Sequence, residues 1–173
     1  MTQFSTPDVR LRPFVSADAP RLAEIANNKK VSDNLRDGFP HPYTLADAEN
    51  FIKKFVGQEP ATVFAIEYNG EYVGNIGLHQ GTDVYRKSAE IGYFLGESYW
   101  NKGIMTQAVK LITEYGFKNL DIVRIYTGVF EYNQASQHVL EKCGYTKEAI
   151  LKKAICKNGQ IWDEVRYGKV KEE

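Results

Sequence analysis

Ala89-Glu90-Ile91-Gly92-Tyr93-Phe94-Leu95-Gly96-Glu97-Ser98-Tyr99-Trp100-Asn101-Lys102-Gly103-Ile104-Met105-Thr106 is the stretch of this 173-residue chain that carries the fold in its pattern. Successive side chains of a strand point to opposite faces. Glu90, Gly92, Phe94 and Gly96 therefore share one side, and the apolar Ala89, Ile91, Tyr93 and Leu95 share the other. Two glycines beside a carboxylate leave the backbone open to close approach by a ligand. An isolated strand glutamate is otherwise a solvated charge at a sheet edge. After Trp100-Asn101-Lys102-Gly103 the period turns helical, with Ile104, Ala108, Leu111, Ile112 and Tyr115 on one side. A strand that turns through glycine into a helix presents unpaired amides at its end, a site suited to an anion. Lys102 adds a positive charge there. The same turn without a ligand is plain turn chemistry, and neither a phosphate-loop lysine motif nor a dinucleotide fingerprint is present.

Upstream, Val9 to Arg12 alternates and predicts a first strand. Ser16 is placed to cap a helix bearing Leu22, Ile25 and Ala26. The run from Arg36 to Tyr43 holds one glycine and two prolines and predicts a loop. Thr44 and Asp47 form a shortened capping box ahead of a helix with Leu45, Ala48, Ile52, Phe55 and Val56 on one face. Thr62 to Tyr68 and Tyr72 to Leu78 read as strands joined by the hairpin signal Asn69-Gly70. Downstream, Ile122 to Val129 is a strand rich in β-branched residues. Asn133 opens a helix carrying Ala135, Val139, Leu140 and Cys143, and Gly144 ends it. Ile150 to Cys156 and Ile161 to Val170, joined near Asn158-Gly159, predict a closing hairpin. The order is strand, two helices, three strands, helix, strand, helix, two strands. It predicts one α/β domain over residues 1–173, with about seven strands in a mixed, mostly antiparallel sheet and about four helices layered on it.

Lysine plus arginine equals aspartate plus glutamate at 22 each. The basic excess that phosphate contacts demand of a duplex-binding domain is absent, so no nucleic-acid partner is expected. No secretory signal and no run of roughly 18 apolar residues is present, so no membrane partner is expected and the cytoplasm is the default. Cys143 and Cys156 have neither metal-ligand nor disulfide spacing, and His41, His79 and His138 are scattered, so no metal is expected.

Asn133-Gln134-Ala135-Ser136-Gln137-His138-Val139-Leu140-Glu141-Lys142-Cys143-Gly144-Tyr145 adds the most specific motif. By itself it is a capped amphipathic helix with Ser136 in its first turn. Together, the Glu90 strand, the Gly103 turn and this helix resemble the GNAT superfamily of N-acetyltransferases. The nearest branch is that of the ribosomal-protein N-terminal and spermidine acetyltransferases. The likeness runs from Leu11-Arg12-Pro13 through Pro42-Tyr43-Thr44 and Asp47-Ala48-Glu49 to Asn158-Gly159-Gln160-Ile161-Trp162-Asp163.

The resemblance implies acetyl-CoA as cosubstrate and transfer of its acetyl group to a primary amine. The acceptor is a protein N-terminal α-amine or a small amine, attacking directly in a ternary complex. It implies a pyrophosphate loop over Asn101, Lys102, Gly103, Ile104, Met105 and Thr106, with Trp100 and Met105 where the family carries Gln or Arg and a small residue. Main-chain groups of Phe94 and Leu95 would pair with the pantetheine arm, Asn133 would hydrogen-bond it, and Ser136 would lie near the sulfur. Many relatives carry a tyrosine acid where this chain has Leu140. Glu90 is the candidate to take the amine proton, directly or through water. A strand amide would meet the oxyanion. Ser136 either protonates the departing thiolate or bonds its own helix backbone. A homodimer is compatible with the resemblance. The alternative is a sensor of the same fold that holds acyl-CoA and transfers nothing.

Overall fold

The hairpins expected at Asn69-Gly70 and Asn158-Gly159 both form, with φ of 49° and 84° in the first and 52° and 74° in the second. Two successive left-handed residues are what a type I′ turn requires, and asparagine followed by glycine tolerates them best. The computed structural model describes residues 4–173. Its strands are β1 (Phe4–Ser5), β2 (Val9–Arg12), β3 (Val63–Tyr68), β4 (Glu71–Gln80), β5 (Ser88–Leu95), β6 (Arg124–Phe130), β7 (Thr146–Lys157) and β8 (Gln160–Val170). The helices are α1 (Ala19–Ala26), α2 (Lys29–Ser32), α3 (Leu45–Phe55), α4 (Ile104–Asn119) and α5 (Gln134–Lys142). All strands join one sheet in the order β1-β2-β3-β4-β5-β6-β8-β7. Every neighbouring pair is antiparallel except β5 and β6, which run parallel.

The mixed α/β architecture is the expected one, with eight strands instead of about seven and five α-helices instead of about four among the described residues. The additions are short. β1 has two residues, and α2 is a single turn capped by Asn28, whose Oδ1 accepts the Lys30 N–H at 2.9 Å. Neither is long enough to show a period. Ser16 does not cap a helix; it lies in a 3-10 turn, Ser16–Asp18, and Asp18 instead accepts the Val15 N–H at 2.9 Å. Thr44 and Asp47 form the capping box, each side chain bonding the other's backbone N–H. On α3, Leu45 and Val56 are exposed, and the buried side is Ala48 and Ile52 with Phe51 and Phe55 against it.

Helices cover both sides of the sheet. On one side α4 and α5 bury Ile104, Val109, Ile112 and Leu140 against Ile91, Ile125 and Tyr167. On the other, α1 and α3 bury Leu22, Ala48 and Ile52 against Ala65, Tyr72 and Phe94. These two apolar layers hold β5 from both sides.

Candidate active site

The parallel pairing of β5 with β6 covers only Ser88, Ala89 and Glu90 against Arg124, Ile125 and Tyr126. Beyond it the strands part, and the cleft between them is the centre of the site. Gly96 N–H bonds the Val73 carbonyl at 2.9 Å, so Leu95 and Gly74 form a non-hydrogen-bonded pair of the antiparallel ladder. The alternation turns the main-chain groups of Leu95 and Tyr93 into the cleft, and those of Phe94 toward Asn75. The main-chain groups of Phe94, expected to face a ligand, are thus taken up by β4, and those of Tyr93 are open to the cleft. The Phe94 ring is buried in the lower core, edge-on to Phe39 with centroids 5.2 Å apart.

Trp100 adds a constraint that no sequence pattern signals: its indole N–H donates to the Leu95 carbonyl at 2.8 Å. Of the cleft-facing groups of Leu95, the N–H is the one left for a ligand. In the following turn Asn101 and Gly103 both take left-handed φ, 60° and 72°. Asparagine is the residue other than glycine that accepts this region most readily. Gly103 then precedes the first turn of α4, whose amides have no partner within the helix. A Cβ at Gly103 would meet nothing within 4 Å, so the approach to these amides is open. Met105 is 8% exposed and its side chain belongs to the core, so its bulk is turned away from the surface of the loop. Lys102 Nζ stands 5.5 Å from the centre of the Tyr99 ring. Thr106 accepts a weak bond from Cys143 Sγ at 3.4 Å through its carbonyl. An anionic, extended ligand fits this arrangement, with its charge at the α4 terminus and its arm in the cleft.

Asn133 caps α5 as expected, its Oδ1 accepting the Ser136 N–H at 3.2 Å, and its amide nitrogen has no partner among the described residues. The Ser136 hydroxyl lies 2.6 Å from the Tyr93 hydroxyl. Leu140 is fully buried and supplies no acid. Cys143 is buried too, and desolvation pushes its thiol above the ordinary value. Burial likewise raises the Tyr93 phenol, only partly offset by its bond to Ser136.

Glu90 lies on the opposite face of β5, with its side chain 28% exposed. Arg36, from the proline-flanked loop, caps its Oε1. His79 on β4 is its register partner, and desolvation holds the imidazole below its usual pKa. Next to it a cavity of about 250 Å³ is lined by Arg36, Asp37, Gly128, Phe130, Lys157 and Glu164, among others. Glu164 lies over Gly128, where a Cβ would come within 1.7 Å of its Oε1. The charges in and beside the cavity are mutually neutralised: Asp37 by Lys157 at 2.9 Å, Glu164 by Arg166 at 2.7 Å, Glu90 by Arg36. Arg36 and Glu164 escaped the sequence reading because loop placement and strand-to-strand neighbours leave no local pattern. The glycine of the Arg-Ile-Tyr-Thr-Gly-Val run at Gly128 is the one signal that something occupies that face.

Comparisons with known proteins bear on this geometry. The acetyltransferase (GNAT) domain family matches residues 8–146. A putative ribosomal N-acetyltransferase of Bacillus subtilis is 34% identical over 173 residues, covering 95% of this chain and 92% of the relative. Spermidine N(1)-acetyltransferase of Escherichia coli is 29% identical over 163 residues, covering 94% of this chain and 86% of the relative. Among solved structures, a GNAT-family acetyltransferase from Bacillus anthracis matches with a TM-score of 0.86 at 26% identity, over 99% of this chain and 100% of the other. The fold is shared by a ribosomal L7/L12 α-N-protein acetyltransferase in complex with coenzyme A, with a TM-score of 0.86 at 22% identity and 98% of each chain covered. The chain belongs to the GNAT acetyltransferases. It is an acyl-CoA-dependent N-acetyltransferase, moving acetyl from acetyl-CoA to an amine.

Proposed function

We propose that the acceptor is a single α-amine, that of a protein or peptide N-terminus, with other small amines as the nearest alternative. The observation that carries this is the charge balance of the cavity beside Glu90, where each carboxylate already has a cation on it. A polyamine would gain little from carboxylates so compensated. An α-amine also needs less help: its pKa is ~7.8, against ~10.4 for a lysine-type amine, so much of it is already neutral near pH 7.5.

In this reading acetyl-CoA supplies an activated acyl carbon, its phosphates on the amides of Ile104, Met105 and Thr106 with Lys102 and Asn101 flanking. The pantetheine arm runs along Tyr93 and Leu95 and meets the amide nitrogen of Asn133. Glu90 takes the amine proton, directly or through one water, once the acceptor displaces Arg36. The Leu95 N–H is aimed at the carbonyl oxygen that gains charge; one such donor is worth about 10²–10³ in rate. Ser136 faces the departing thiolate. Two free thiols suit a reducing compartment, so the cytoplasm belongs to the same reading; among the described residues no helix is long and apolar enough to cross a membrane.

The test is thiol release from acetyl-CoA with a panel of N-terminal peptides, polyamines and amino sugars, with Glu90→Gln as control. Peptide α-amines should give the highest kcat/KM. Glu90→Gln should lower kcat by on the order of 10²-fold at unchanged acetyl-CoA affinity. Spermidine outranking every peptide would overturn the acceptor, and full turnover in Glu90→Gln would remove that residue from the chemistry.

A further inference from the structure

Tyr93 belongs to the apolar side of β5, yet its hydroxyl reaches across the opened cleft to Ser136 Oγ on α5, 2.6 Å away and 43 residues on. The direction of that bond follows from what each hydroxyl has left to do. Cys143, Tyr145 and Tyr167 are the titratable groups near Tyr93. Tyr145 is bound to Thr113 at 2.7 Å and Tyr167 to Glu141 at 2.8 Å. Among the described residues no other acceptor is within hydrogen-bond reach of the Tyr93 hydroxyl. A phenol is a stronger hydrogen-bond donor and a weaker acceptor than an aliphatic hydroxyl, and with Ser136 as donor the phenolic proton would have no protein partner among the described residues. With Tyr93 as donor, only the Ser136 proton is left over, at a partly exposed position on the cleft wall within reach of a bound ligand.

We infer that Tyr93 is a positioning residue for Ser136: it donates to Ser136 Oγ and so points the serine proton at the sulfur in the cleft. This rests on the placement of Ser136 beside the thioester under the function proposed above. The balance is simple. The bond from amine nitrogen to acyl carbon forms, the carbon–sulfur bond breaks, the amine proton goes to Glu90, and the sulfur leaves with the electron pair. A thiol with a pKa near ~8.5 is a competent leaving group as its anion. The serine therefore stabilises the thiolate by a hydrogen bond, and no proton moves at Tyr93. Burial keeps the phenol protonated, which suits a fixed donor.

Tyr93→Phe keeps the ring and removes the donor. It should lower kcat about tenfold, the worth of one oriented hydrogen bond, with KM for acetyl-CoA unchanged and the melting temperature lowered by no more than about 5 °C. Ser136→Ala should cost at least as much, and the double variant should be no slower than Ser136→Ala, because one residue acts only through the other. An acetyl thioester of a more acidic aromatic thiol should recover the lost rate in both, which a packing defect would not allow. Additive losses, or full kcat in Tyr93→Phe beside a slow Ser136→Ala, overturn the inference and leave the assignment of Ser136 standing. Full kcat in Ser136→Ala overturns both.

Discussion

Glu90 and His79 face each other across β5 and β4, and Arg36 links Glu90 to the cavity over Gly128. Desolvation lowers the His79 pKa most; Arg36 adds to the lowering and Glu90 opposes it. The folded value therefore lies below the ~6.5 of an unfolded histidine. Between those two values the unfolded chain binds a proton that the folded chain refuses, so stability falls as the pH drops through that window and is fully present above it. Melting temperatures of the wild type should decline below about pH 6.5, and those of His79→Gln should decline less over the same range. Parallel declines in the two proteins would show that His79 has no part in it. At this scale the sequence was informative where one strand carries the information: the alternation around Glu90 puts it opposite the apolar row, and Asn133 announces itself as a cap. Arg36, Glu164 and the hydroxyl of Tyr93 act through partners 54, 2 and 43 positions away. Glu164's ion-pair partner lies only two residues along the same strand, yet its place over Gly128 depends on β6.

Elements with strong local chemistry were legible. The Asn69-Gly70 and Asn158-Gly159 turns, the Thr44–Asp47 box and the long helix after Gly103 all rest on interactions within a few residues. β7 was anticipated only over its apolar part, because as an edge strand it is almost wholly exposed and rich in lysine. An edge strand so composed resists pairing with other chains and shows no buried face to find. β4 holds a stricter requirement. A Cβ at Gly74 would come within 2.2 Å of the Phe94 carbonyl oxygen and 3.1 Å of Leu95 Cα, both backbone atoms that cannot turn aside. Gly74→Ala should lower stability by about 1–3 kcal/mol and weaken CoA binding, since it displaces the strand whose Leu95 amide faces the cleft. Gly92, where the nearest atom to an added Cβ is His79 Nε2 at 4.0 Å, should accept alanine within about 0.5 kcal/mol. Urea unfolding and calorimetry with CoA would check both; equal tolerance at the two positions would contradict the steric account.

The whole molecule is two half-sheets, β1 to β5 and β6 with β8 and β7, joined along β5 and β6 by three residue pairs. A ligand lying in the cleft bridges both halves and binds only when they are folded. At a hundredfold excess over Kd it should add about 2.7 kcal/mol, raising the melting temperature by about 5–10 °C for a chain of this size. Amide exchange should slow most at Tyr93, Leu95 and residues 127–130, with little change in β1 to β3. Uniform slowing across the sheet would mean that the halves are not coupled through the cleft. The incomplete seam also bears on how the chain meets proteases. Breakdown by proteases scales with the population of opened molecules. Filling the cleft should therefore lengthen the survival of the chain in a limited protease digest, and an empty cleft should leave the seam as the place where cutting begins.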